Sequence, residues 1–139
     1  MTIQPYLFFN GRCEEAIDFY RSAIDAKVVH LMRFKDVPPS PDNPNADANK
    51  DKVMHVAFQI GDTTILASDG ECQGTPNFQG FGLSLNAAND AEAERLFGAL
   101  SEGGAVRMPL TKTFFASRFG MVKDRFGVLW MIIAGAAAA

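Results

Sequence analysis

At 139 residues, 47% hydrophobic and 21% charged, the chain is long enough for one domain with its own core and too short for two ordinary ones. Its composition is also far from that of disordered chains. The net charge is −3 and the 13 Lys and Arg residues are scattered, so no basic stripe exists to attract nucleic acid. The opening residues Met1 to Asn10 lack a basic n-region, and no apolar run approaches bilayer-spanning length, which argues against a signal peptide and a membrane span. Cys13 and Cys72 are isolated, without metal-ligand spacing. The expectation is a cytoplasmic chain with reduced thiols and with neither nucleic acid nor membrane as partner.

Pro5 to Phe9 reads as a strand, broken at Asn10-Gly11. From Cys13 to Asp25, Ala16, Ile17, Tyr20, Ala23 and Ile24 recur at helical spacing opposite Glu14, Glu15, Asp18 and Arg21. Lys27 to Phe34 follows as a strand rich in Val, Leu and Met. The run from Asp36 to Lys52 holds Pro38, Pro39, Pro41 and Pro44 and reads as a long mobile loop, placed to act as a lid. Val53 to Ile60 and Thr63 to Ser68 form a hairpin around Gly61-Asp62.

The same order then returns. Gly82 to Asn86 reads as a strand, Asn89 to Gly103 as a helix opened by an Asn89/Glu92 capping box, and Ala105 to Met108 as a strand. Phe119 to Lys123 and Val128 to Ile133 close the chain as a hairpin around Asp124 to Gly127. A shift of about 77 positions superposes Phe8 on Leu85, Ala16 on Ala93, Tyr20 on Phe97, Ala23 on Leu100 and Val29 on Val106 without a gap. The expectation is one α+β domain over residues 1–139, with β-α-β-β-β modules at 1–70 and 78–134.

Two such modules resemble the vicinal oxygen chelate superfamily, the group of glyoxalase I, the fosfomycin- and bleomycin-resistance proteins and the extradiol dioxygenases. The local wording is closer to one branch. Pro5-Tyr6-Leu7-Phe8-Phe9-Asn10-Gly11, Glu14-Glu15-Ala16, Val53-Met54-His55-Val56, Ile60-Gly61-Asp62, Leu83-Ser84-Leu85-Asn86 and the stretch Phe119 to Ile132 are similar to PhnB-like proteins. These are often filed under the label 3-demethylubiquinone-9 3-methyltransferase. The resemblance implies a curved mixed sheet around a small-molecule cavity, with helices outside and a homodimeric assembly. It also implies four metal-ligand positions, which fall here on Pro5, a residue near Ile65, Gly82 and Met131. None of these offers a side-chain nitrogen or oxygen, so the expected metal count is none and the expected cofactor is none. The methyltransferase label lacks residue support, because no GxGxxG turn follows a strand.

Alternation from Met54 to Ile60 turns Met54, Val56, Phe58 and Ile60 towards the helices and leaves His55 and Gln59 towards the cavity. His55 is then either a substrate hydrogen-bonder or general base, or a satisfied structural histidine. The orientation of His30 is open. Ser84 and Asn86 face either a ligand or each other and solvent. Phe9 and Met131 are candidate lining residues. Lys112, Arg118 and Lys123 are either anion-steering groups or ordinary surface cations.

Taken together, these readings favour a metal-free small-molecule binding protein using His55, Phe9, Gln59, Ser84, Asn86 and Met131. The alternatives are a glyoxalase-type isomerase, lyase or oxygenase with His55 as catalytic base, and an interaction module whose cavity is filled by side chains.

Overall fold

Leu7 and Phe9, each 1% exposed, alternate with the more open Tyr6 and Phe8, so the opening strand already has one face turned to the core. The computed structural model describes residues 1–36, 50–70 and 75–135. Most of the 36–52 run expected as a loop lies outside the described residues, as does Cys72. Contacts divide the chain into two units, Met1–Pro76 and Asn77–Ala139, and each is described by itself.

The first unit runs β1 (Tyr6–Phe8), α1 (Cys13–Ile24), β2 (Lys27–Arg33), a short 3-10 turn at Phe34–Asp36, β3 (Val53–Ile60) and β4 (Thr63–Ser68). Its sheet has the order β1-β4-β3-β2. The β1/β4 pair is parallel, and the β4/β3 and β3/β2 pairs are antiparallel. Gly61 has a φ of 59° in the two-residue link between β3 and β4, a conformation that a tight hairpin asks of its first residue. The apolar stripe of α1 covers one face of the sheet. Tyr20 is fully buried and stacks on Phe58, with ring centroids 6.0 Å apart. Burying a side chain of this size contributes roughly 1.5–3 kcal/mol.

A remote carboxylate holds the start of α1. Arg12 at the N-cap makes no side-chain capping bond. Instead Asp69 Oδ1 accepts from the backbone N–H of Gly11 (2.6 Å) and Cys13 (2.9 Å), and its Oδ2 accepts from Val53 N (2.9 Å). One residue beyond β4 thus caps the helix and ties it to β3.

The second unit repeats the plan with β5 (Leu83–Asn86), α2 (Asp90–Ser101), β6 (Ala105–Thr111), β7 (Arg118–Lys123) and β8 (Leu129–Ala134), in the order β5-β8-β7-β6. Asn89 Oδ1 accepts from Glu92 N, and Glu92 Oε2 accepts from Ala88 N. The box is therefore reciprocal but reaches one residue further back than expected. Gly120 of β7 is required by close packing, since a Cβ there would lie 2.8 Å from the Phe97 ring of α2 and 2.9 Å from the Leu110 Cα. The β7–β8 link is tied by Asp124, which is buried. Its Oδ1 accepts from Phe126 N (2.9 Å) and Val128 N (3.0 Å), and its Oδ2 accepts from Trp130 Nε1 (2.9 Å).

The ladders correct the ungapped superposition of the halves. The row Tyr6, Leu66, Ala57, His30 corresponds to Ser84, Met131, Met121, Met108. Buried Leu7 therefore matches Leu85, and Phe8 matches Asn86. The helices keep the original offset and the strands are shifted by one. The turn before α1 has one residue more than the turn before α2 (Phe9–Arg12 against Ala87–Asn89), and the turn after it has one fewer (Asp25–Ala26 against Glu102–Gly104). A one-residue slip exchanges the two faces of a strand, so it changes which side chains are candidates for a site.

Candidate functional site

On β3, Val56 and Phe58 are fully buried against the helix side, while His55 is half-buried and Gln59 exposed. His55, Ala57 and Gln59 therefore share the face remote from α1. Tyr6 and Phe8 of β1 and His30 of β2 reach the same face. The hydroxyl of Tyr6 lies 2.9 Å from His55 Nδ1. The two rings are 5.6 Å apart, Tyr6 stacks on Phe8 at 4.8 Å, and the His30 ring lies 6.4 Å from that of His55. Two imidazoles, a phenol and a phenyl ring thus form one cluster on the sheet surface.

The Tyr6–His55 bond gives the imidazole two usable states. When the hydroxyl donates to Nδ1, Nε2 carries the proton and is a donor. When Nδ1–H donates to the hydroxyl oxygen, Nε2 presents a lone pair and is an acceptor or base. In both cases the phenol fixes the ring's orientation, as a partner to a histidine base does.

Other expected residues fall elsewhere. Gln59 is four residues from His55 along β3, roughly 13 Å at strand spacing, so the two do not form one contact set. Phe9 is corrected from a lining to a core residue. It is 1% exposed, and its ring lies 6.5 Å from Tyr20 of α1, because alternation turns it to the helix side with Leu7. Ser84 and Asn86 are exposed in the second unit, on the face shared with Met131 and Ile133, and their side chains make no hydrogen bond among the described residues.

Strand phase also revises the positions matched to metal ligands. Pro5 alternates with Tyr6 and falls on the Leu7 side. Ile65 is 4% exposed on the helix side, so Tyr6 and Leu66 take their places on the open face. Gly82 and Met131 keep theirs. The resulting donors are a neutral phenol already bonded to His55 and a thioether. These do not fit zinc, nickel or iron, which take imidazole, carboxylate or thiolate. Among the described residues no three His, Cys, Asp or Glu side chains group as a metal site.

Cys13 is fully buried at the start of α1. Burial first, then the neighbouring carboxylates of Asp69 and Glu14, push its thiol well above the ordinary range. The helix terminus does not make it reactive, because desolvation of the thiolate outweighs the dipole. Glu14, bonded to Arg33, is held below the usual carboxylate range.

The family described as 3-demethylubiquinone-9 3-methyltransferase matches residues 1–133. The chain belongs to this family. It is 33% identical to protein YjdN of Escherichia coli K12 over 95% of this chain and 94% of that one. Among solved structures, protein PA1353 from Pseudomonas aeruginosa is 42% identical with a TM-score of 0.82, covering 96% of this chain and 97% of that one. The PhnB protein from Bacillus cereus, described under the same methyltransferase heading, is 26% identical with a TM-score of 0.78, covering 96% and 99%. A glyoxalase/bleomycin resistance/dioxygenase domain from Frankia sp. shares the fold at 14% identity and a TM-score of 0.66, covering 100% and 95%. The chain is thus PhnB-like and has the fold of the glyoxalase/bleomycin resistance/dioxygenase domains. Among the described residues no helix is long and apolar enough to cross a membrane.

Sequence reasoning reached His55 but missed Tyr6. The opening strand is apolar on both faces and gives alternation no phase for Tyr6, and the orientation of His30 stayed open because its own strand, β2, is likewise apolar on both faces. The signal that finds Tyr6 is its register opposite Leu66.

Proposed function

We propose that this PhnB-like chain is a cytoplasmic, homodimeric, metal-free binding protein for a small organic molecule, held on the helix-remote face of the first unit. The observation that carries the reading is the Tyr6 Oη–His55 Nδ1 hydrogen bond, which presents an oriented imidazole beside the Phe8 and His30 rings. An aromatic surface with one convergent polar pair suits a flat ligand bearing a carbonyl or hydroxyl. Each neutral hydrogen bond would contribute about 0.5–1.5 kcal/mol. Gln59 is proposed as a contact further along the same face, and Ser84, Asn86 and Met131 as contacts on the second unit's own helix-remote face. Methyl transfer is not part of this reading, since the strand-to-helix links Phe9–Arg12 and Ala87–Asn89 carry no glycine-rich turn of the GxGxxG kind.

Native mass spectrometry of purified protein, with elemental analysis of the same sample, tests the proposal. A co-purifying organic molecule without metal is expected, and H55Q and Y6F should each lower its occupancy several-fold while circular dichroism is unchanged. A stoichiometric transition metal whose removal abolishes ligand retention overturns the reading. Sedimentation velocity checks the homodimer.

The orientation of His55 by Tyr6 also favours a second reading, an enzyme of the glyoxalase type with His55 as base and Nε2 taking the proton. H55Q should then abolish turnover of the co-purifying compound, and unchanged turnover eliminates that role.

A further inference from the structure

The second unit holds a cleft of about 550 Å³, a size typical of small-molecule sites, which run from about 300 to 1,000 Å³. Its apolar wall is made by Phe78, Phe81, Leu129 and Met131, and its charged groups are Arg107 and Lys123. Among the described residues no aspartate or glutamate lines it. Among the described residues neither cation's side chain makes a hydrogen bond or an ion pair.

Their placement follows from the strands. Val122 is fully buried on the helix side, so its neighbour Lys123 stands on the other face. Arg107 would alternate away from Met108, but the β6–β7 register shifts between Val106 and Met108. Arg107 is therefore the extra residue of a bulge, and a bulge re-aims a side chain out of strict alternation. The same bulge in β2 carries Val29, between Val28 and His30, and the first-unit counterpart of Lys123 by register is Gln59. The duplicated scaffold thus has two cations in one half where the other has a valine and an amide. Gly82 leaves the floor of the cleft without a side chain, since a Cβ there would already be 3.3 Å from Leu129.

We propose that this cleft is a second binding site, for a small organic anion in which a carboxylate or phosphate is attached to a flat apolar body. Arg107 and Lys123 take the charged end, Arg107 through its planar fork and Lys123 as a point charge. Phe78 and Phe81 with Leu129 and Met131 take the body. The site is built from second-unit residues alone and uses neither Tyr6 nor His55, so the two readings are tested by different substitutions and fail separately.

Isothermal titration calorimetry of the full chain with naphthoate, naphthyl phosphate and uncharged naphthalenemethanol tests it. At least one anion is expected to bind about tenfold more tightly than the alcohol, and more weakly as salt rises. R107Q and K123Q should each weaken that anion about five- to tenfold, and R107K less. F81A should weaken anion and alcohol alike. R95Q removes one charge from the exposed face of α2, on the other side of the sheet, and should change nothing. Binding of the carboxylate alone or the phosphate alone identifies the headgroup. The proposal is overturned if neither anion binds, if the alcohol binds as well as the anions, or if R107Q and K123Q both bind as the parent does.

Discussion

The two units are built on one plan and differ on one face. On the helix side, Leu7, Ala67 and Val56 match Leu85, Ile132 and Gly120, and each row is closed by the stripe of its helix, with Ala16 and Ala93 both fully buried. On the remote face, Tyr6, Leu66, Ala57 and His30 stand against Ser84, Met131, Met121 and Met108. Interiors tolerate little change of total volume, so the helix side stays apolar in both units, and the smaller Ala67 against Ile132 is offset by the larger Val56 against Gly120. The remote face is free to diverge, and it carries phenol and imidazole in one unit and thioethers with two cations in the other. In a duplicated scaffold, function is to be sought where the halves disagree.

The devices that tie the strands also differ, and the largest expected effect comes from removing one of them. In the second unit Asp124 satisfies two backbone amides and the Trp130 indole from a buried position. D124A removes the carboxylate that accepts from three buried donors. A loss of about 3–4 kcal/mol in urea unfolding is expected, with altered Trp130 fluorescence. In the first unit Asp69 makes three backbone contacts from a half-buried position that water can enter. D69A should therefore cost less, about 2–3 kcal/mol, read in the same way. A larger loss in D69A than in D124A would mean that the helix cap, not the hairpin carboxylate, dominates stability.

How much of this was legible in the sequence depends on phase. The helices and hairpins follow from periodicities that run for ten residues or so, such as Ala16, Ile17, Tyr20, Ala23 and Ile24, or Val56 against His55. The slip between the halves was invisible because the residue gained before α1 is lost after it, so an ungapped comparison still aligns the helices. Tyr6 was hidden by this slip and by a strand without polar alternation. Arg107 was hidden because a bulge leaves no mark in composition. Phe9 was misplaced for the reverse reason, since an aromatic residue beside an expected cavity reads equally well as core.

The smallest expected effect concerns Cys13, whose counterpart in the second unit is Asp90. Asp90 is an open residue that pairs with Arg118 at 3.5 Å and accepts from Ser117 Oγ. Cys13 instead lies fully buried beside Asp69. Burial raises its folded pKa above that of the unfolded thiol, near 8.5, so above that pH the native state binds more protons than the unfolded one. Its contribution is complete below pH 8.5 and is lost as pH rises towards the folded value, on the order of 1 kcal/mol per pH unit. Urea unfolding at pH 7 and pH 9.5 should show this decline in the parent chain and a shallower one in C13A. The thiol should also resist iodoacetamide at pH 8 until the chain is unfolded. Equal pH slopes in the two proteins, or rapid alkylation of Cys13 itself, located by peptide mass mapping of the folded chain, would show that the start of α1 opens to solvent and that Asp69 does not keep it closed.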